Sequence, residues 1–266
     1  PLVYLTVAGV LNIILNLVFV LGCGMAADGV ALASVISQVV SALLVTWRLM
    51  RSKSACRLTL RRARLCRDKL SCILVLGLPA GLQNAIFAVA NLFIQAGVNS
   101  FDSLVVEGNS AAANADALVY DLMAAFYTAC SSFMGQNLGA GKRDRVIKSY
   151  FVSLAYSFGS ALVIGVCLAF FGREFLMLFT KEPEVAAEGM ERLRVMAFSY
   201  CVSAFMDNTI AASRGLGKSL VTTIIVISGS CVFRIIWIYT VFAYFHTLPS
   251  LYLLYVFSWA ITAIAE

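Results

Sequence analysis

RLMRSKSACRLTLRRARLCRDK, residues 48–69, is the one long polar segment of this 266-residue chain, and it holds nine of the 20 basic residues against a single acid, Asp68. Two long apolar runs come before it and six come after. The chain therefore reads as an incomplete hydrophobic pair, a basic cytoplasmic linker, and a set of six further hydrophobic segments.

Composition decides the class. With 61% hydrophobic and 13% charged residues and a mean hydropathy of +0.89, the chain carries more apolar surface than a soluble domain of this size can bury. The net charge of +6 does not indicate nucleic acid as a partner, because the basic residues cluster between apolar runs and not on one face with interleaved aromatics. Topogenic charge explains them better. The eight cysteines form no CxxC and no Cys/His group, so neither a disulfide framework nor a metal site is expected. Opening on Pro1, with no basic segment ahead of the first apolar run, the chain reads as an internal piece of a longer protein.

A helix needs about 20 mainly apolar residues to span a bilayer. Runs at 1–27, 29–47, 70–101, 108–139, 149–172, 195–213, 219–245 and 250–265 meet or approach that length. The expectation is an all-α, polytopic membrane helix bundle of about eight transmembrane helices. Lys and Arg counted loop by loop give fifteen on one side (48–69, 142–148, 214–218) against four on the other, all four in 173–194. By the positive-inside bias the linker is cytoplasmic and the protein is multi-pass in the cell (inner) membrane. The 173–194 segment, with five glutamates and Pro183, reads as an external loop with a short surface helix.

Charges inside the spans need a reason, since each costs on the order of 3 kcal/mol or more at the bilayer centre. Asp116, Asp121, Asp207 and Arg234 qualify. Helical spacing puts Asn109, Asp116, Tyr120, Met123 and Tyr127 on one face, and Asn114, Asp121 and Thr128 on another. Asn84, Asn91 and Gln95 make a polar stripe at i, i+7 and i+11, past Gly77, Pro79 and Gly81, where a kink is expected. Arg234 sits too deep to reach water along its stem, so an acidic partner is expected, Asp116 first. Asp207 is spaced to pair with Arg214. The runs LNIILNLVF (11–19) and FRIIWIYTVF (233–242) echo one another, as a parallel repeat would. No nucleophile motif, phosphate loop or metal-ligand spacing occurs, so no enzymatic activity and no cofactor beyond a coupling ion is expected.

LGLPAGLQNAIF at 76–87, FMGQNLGAGKRDR at 133–145, SRGLGKS at 213–219 and FRIIWIYTVF resemble the multidrug and toxic compound extrusion (MATE) transporters. The resemblance implies a twelve-helix fold of two lobes. Residues 1–47 would be the last two helices of the N-terminal lobe, 48–69 the interlobe linker and 70–266 the C-terminal six-helix lobe. It also implies proton- or sodium-coupled antiport of amphipathic, cationic small molecules by alternating access, by a protein monomeric in its full-length form. The sodium-coupled NorM-type branch has a glutamate eight residues after the proline and an aspartate eleven before the Arg-Gly pair; here these positions are Phe87 and Ser203. Coupling then falls to Asp116, Asp121 and Asp207, with Arg234, Asn84, Asn91, Gln95 and Tyr120 beside them. Two other readings stand: a lipid-linked saccharide flippase, which favours a basic cavity, and a non-transporting, channel-like membrane protein with its charges in structural pairs.

Overall fold

The computed structural model describes residues 2–52, 57–59, 64 and 66–266. Part of the basic linker, Cys56 included, lies outside the described residues. What is described is helical, with no strand. The helices are α1 (Leu2–Gly22), α2 (Ala27–Arg51), α3 (Arg67–Val98), α4 (Ser103–Gly139), α5 (Arg143–Leu176) and α6 (Pro183–Gly215), then α7 (Ser219–Phe245) and α8 (Leu248–Ala265). Among the described residues, seven of these are long and apolar enough to cross a membrane. The eighth, α6, is not among them, and its first half carries Glu184, Glu188, Glu191, Arg192 and Arg194, charges that 173–194 was expected to expose.

Two compact units result, Pro1–Arg67 and Asp68–Glu266. In the first, α1 packs on α2, and Asn12 Nδ2 donates to Ser37 Oγ at 3.1 Å while Ser37 Oγ donates to the Ser34 carbonyl at 3.0 Å. In the second, α4, α5 and α6 pack on one another and α8 packs on α6. The large buried side chains there are Met123, Leu176, Leu193, Met196 and Tyr200.

Small residues let these backbones approach, as membrane helices without a hydrophobic drive between them require. A Cβ on Gly108 would lie 2.7 Å from Gly189 N and 2.8 Å from the Val185 carbonyl, so the outer parts of α4 and α6 touch backbone to backbone. At the other end, a Cβ on Gly215 would lie 2.7 Å from the Ser131 carbonyl.

Two quoted motifs prove to be helix stops. At the end of α4, Gly141 has φ +71°, its N–H donates to Leu138 O and that of Lys142 to Asn137 O. At the end of α6, Gly217 has φ +82°, with Gly217 N–H on Arg214 O and Lys218 N–H on Ser213 O. Both are left-handed caps in which glycine avoids the Cβ penalty. NLGAGK and SRGLGK are thus one device used twice.

The 173–194 segment is not a loop with a surface helix. Only 177–182 separates α5 from α6, and Pro183 begins α6, where its missing N–H costs nothing. Val185, Gly189, Arg192, Met196 and Tyr200 follow at helical spacing, all buried. Arg192 accordingly leaves the external charge tally and enters the bundle.

Candidate functional site

The second unit carries two adjoining cavities of about 340 Å³ and about 180 Å³, both lined by Phe87, Tyr127, Met206 and Asp207. The larger also takes in Asn91, Asp116, Tyr120, Arg192 and Arg234, and the smaller takes in Asn84 and Arg214. Helices α3, α4, α6, α7 and α8 each supply part of the wall.

At the end nearer the Gly108–Gly189 crossing sits a closed network. Arg192 Nε and Nη2 donate to Asp116 Oδ2 at 3.0 and 2.5 Å, and Nη1 donates to Asn109 Oδ1 at 2.5 Å. Tyr200 donates its hydroxyl proton to Asp116 Oδ1, and Tyr252 OH reaches Asn109 Oδ1 at 3.4 Å. Both Asp116 oxygens are therefore satisfied, and the charge is cancelled by the only ion pair among the described residues. Close backbone approach makes this possible: Asn109 follows Gly108, and Arg192 lies three residues past Gly189.

Arg234 was expected to pair with Asp116 and does not. Its Nη1 donates to Asn91 Oδ1 at 3.0 Å and its Nε to Ser258 Oγ at 3.2 Å. The guanidinium carbon lies 4.4 Å from the Phe87 ring centre and 4.8 Å from that of Tyr255, within cation–π range of both rings. Nη2 is buried with no hydrogen-bond partner among the described residues. Arg192 wins the carboxylate because the α4–α6 contact is direct. Arg234 lies instead on a short α segment of α7, Phe233–Trp237, between π-turns at Ile227–Val232 and Ile238–Phe242. Such bulges re-aim side chains and collect at functional positions.

Asp207 was expected to pair with Arg214 and does not either. Arg214 Nη2 donates to Gln83 Oε1 at 3.1 Å. Asp207 accepts from Ser203 Oγ at 2.9 Å and makes no ion pair among the described residues. Ser203 occupies the position where the NorM-type pattern has an aspartate; the acid stands one helical turn further on, hydrogen-bonded back to that position.

Of the residues singled out from sequence, Asp116, Asp207, Arg234, Asn91 and Tyr120 come together on the larger cavity, and Asn84 lines the smaller one. Tyr120 makes edge contacts with Tyr200 and Trp259 at 6.0 and 6.1 Å. Asp121 is exposed on the opposite face of α4, with Asn114, and lines neither cavity. Gln95 donates to Asn99 Oδ1 at 2.9 Å, away from both. The residue sequence reasoning missed is Arg192. Its signal was present in the Val185, Gly189, Arg192, Met196 spacing, which the dense glutamates around it concealed.

Comparison with known proteins places this geometry. Residues 79–240 match the family model described as MatE. A Bacillus subtilis (strain 168) protein named "Probable multidrug resistance protein YpnP" is 29% identical over 228 residues, 85% of this chain and 51% of that protein. A Shewanella oneidensis protein named "FAD transporter" is 27% identical over 192 residues, 70% of this chain and 42% of that one. The chain thus spans about half the length of the curated relatives it matches. Among solved structures, an outward-facing multidrug resistance MATE transporter of the MOP superfamily superposes with a TM-score of 0.86 at 23% identity, covering 97% of this chain and 58% of that one. A MOP superfamily transporter from Pyrococcus furiosus gives 0.85 at 22% identity, with 97% and 58% covered.

Proposed function

The chain belongs to the MatE family, and from that premise we propose that it forms part of a secondary transporter expelling amphipathic small molecules across the cell membrane. Alternating access of two lobes moves the substrate, and entry of a proton or sodium ion drives the cycle. The work assigned to the residues is binding and charge exchange, with no bond made or broken, so the protein is not an enzyme.

One observation carries the reading: Asp207 lines both cavities and accepts a hydrogen bond from Ser203, with no ion pair among the described residues. A carboxylate at membrane depth that no cation contacts among the described residues can be neutralised by something that comes and goes, and both a coupling ion and a cationic substrate fit. Asp116, by contrast, already has Arg192 and Tyr200. The exchangeable acid is therefore Asp207.

The unpartnered Nη2 of Arg234 favours a second reading of the substrate, in which a molecule with an anionic group docks by that end. It agrees with the relative named as an FAD transporter.

Proteoliposomes of the full-length protein test both. Under an imposed pH gradient and, separately, a sodium gradient, Asp207→Asn is expected to remove gradient-driven transport while the protein stays folded and correctly inserted. Coupled transport at the parent rate by Asp207→Asn overturns the assignment. Comparing a cationic dye with a flavin nucleotide decides the substrate class.

A further inference from the structure

A further cavity of the second unit, about 720 Å³, lies apart from the two described above. It is a groove between the end of α4 and the start of α5, and its chemistry changes in order along its length. Lys142, Arg145 and Lys148 line the end at the α4–α5 turn, while Phe126, Phe133, Val152 and Tyr156 line the rest. Arg145, Ser149, Val152 and Tyr156 lie on one face of α5 at helical spacing. The groove thus passes from cation through hydroxyl to aromatic over roughly 16 Å, at 1.5 Å per residue.

Its floor is built. The Phe126 and Tyr156 rings stack at 5.9 Å with an interplanar angle of 10°. Ser153 Oγ lies 2.9 Å from the Phe126 carbonyl and 2.8 Å from Asn208 Oδ1, tying α4, α5 and α6 together beneath it. Its mouth is open: Phe133 is 58% and Tyr156 63% exposed. The three basic side chains make no ion pair among the described residues. The one acid of the turn, Asp144, does not line the groove.

We propose that this groove holds an anionic phospholipid of the cytoplasmic leaflet, its phosphate between Lys142, Arg145 and Lys148 and an acyl chain against Phe126, Phe133 and Tyr156. Charge complementarity selects the occupant. Loop cations face the leaflet that carries anionic lipid, and a groove of this volume is in the range that holds a small amphiphile. A soluble anion would use the basic end and leave the apolar length bare. A zwitterionic lipid would bring its own ammonium cation to the end that already holds Lys142, Arg145 and Lys148, which like-charge repulsion disfavours.

Native mass spectrometry of the full-length protein with short-chain phosphatidylglycerol and phosphatidylcholine tests it. The parent is expected to retain phosphatidylglycerol preferentially. Lys142→Gln, Arg145→Gln and Lys148→Gln together are expected to weaken that binding roughly a hundredfold, three cations at about fivefold each. Val152→Trp, which fills the groove and keeps every charge, is expected to lose it as well. Glycerol phosphate, a headgroup without chains, is expected not to compete with the parent's bound lipid. Equal retention of the two lipids by the parent, or full competition by glycerol phosphate, overturns the proposal whatever the variants do.

Discussion

Removing Asp116 should destabilise this protein. Asp116 and Arg192 are 6% and 8% exposed, and they are joined at 3.0 and 2.5 Å through one carboxylate oxygen. Deleting one partner of a buried, hydrogen-bonded ion pair typically costs about 3–5 kcal/mol, because the surviving charge stays buried without compensation. Asp116→Ala also strands the Tyr200 hydroxyl, and a lost partner for a buried donor adds about 1–3 kcal/mol. Asp116→Asn keeps the shape and one acceptor, so the lower end of the first range applies. On the scale of a domain of about 200 residues, that is a fall in Tm on the order of 10 °C. Thermal unfolding of the detergent-purified full-length protein measures it. Arg192→Gln added to Asp116→Asn should recover more than half of the loss, since the double variant buries no net charge. Arg234→Gln added to Asp116→Asn should recover nothing, since Arg234 bonds to Asn91 and Ser258 instead. Rescue by Arg234→Gln and not by Arg192→Gln would refute the network as drawn. An Asp116→Asn protein as stable as the parent would refute the claim that Asp116 is a structural charge.

Gly217→Ala should cost about 1–2 kcal/mol by placing a Cβ in the left-handed cap at φ +82°, read as a lower Tm with sidedness unchanged; Gly141→Ala should do the same at the end of α4. Gly108→Val should be worse, because its added atoms meet Gly189 N and Val185 O; loss of about 1–3 kcal/mol is expected from overpacking, with lower yield of inserted protein as the readout. Cys66, which is exposed, and Cys56 in the same basic segment should react with an impermeant thiol reagent only after the cytoplasmic face is opened; labelling of both in intact cells overturns the charge-derived orientation.

The bundle was legible because the bilayer demands length and apolarity, both visible in runs such as 1–27 and 219–245. The inward face of α4 was legible too. Asn109, Asp116 and Met123 are buried, Tyr120 and Tyr127 half-buried, while Asn114, Asp121 and Thr128 are exposed, as a period of 3.6 requires. Pairing was not legible. Which arginine takes Asp116 depends on a backbone contact between Gly108 and Gly189, residues far apart in sequence, and on two π-turns that rotate Arg234 relative to a regular helix. Local pattern reports which face a residue occupies; it says nothing of which partner arrives there.

The echo between 11–19 and 233–242 gains content from these bonds. Asn12 donates to Ser37 at 3.1 Å and Ser37 to the carbonyl three residues back, at Ser34. Arg234 donates to Ser258 at 3.2 Å and Ser258 to the carbonyl three residues back, at Tyr255. Each echoing helix also passes into a π-turn near its far end, at Val18–Gly22 and Ile238–Phe242. The two helix pairs therefore share one hydrogen-bonded scaffold, and the difference between them is chemical: a neutral amide at position 12, a guanidinium at position 234. Since the amide alone satisfies the shared serine, scaffolding does not require the charge at 234. What the guanidinium adds is a buried Nη2 without a hydrogen-bond partner among the described residues, near the Phe87 and Tyr255 rings on the wall of the larger cavity. With Asp116 cancelled by Arg192, the larger cavity keeps, among the described residues, one acid without an ion pair, Asp207, and one base without an ion pair, Arg234, on separate helices. A cation on Asp207 alone would leave the Arg234 charge uncompensated, so neutralising this wall completely needs either an anionic group at Arg234 or direct contact between the two side chains.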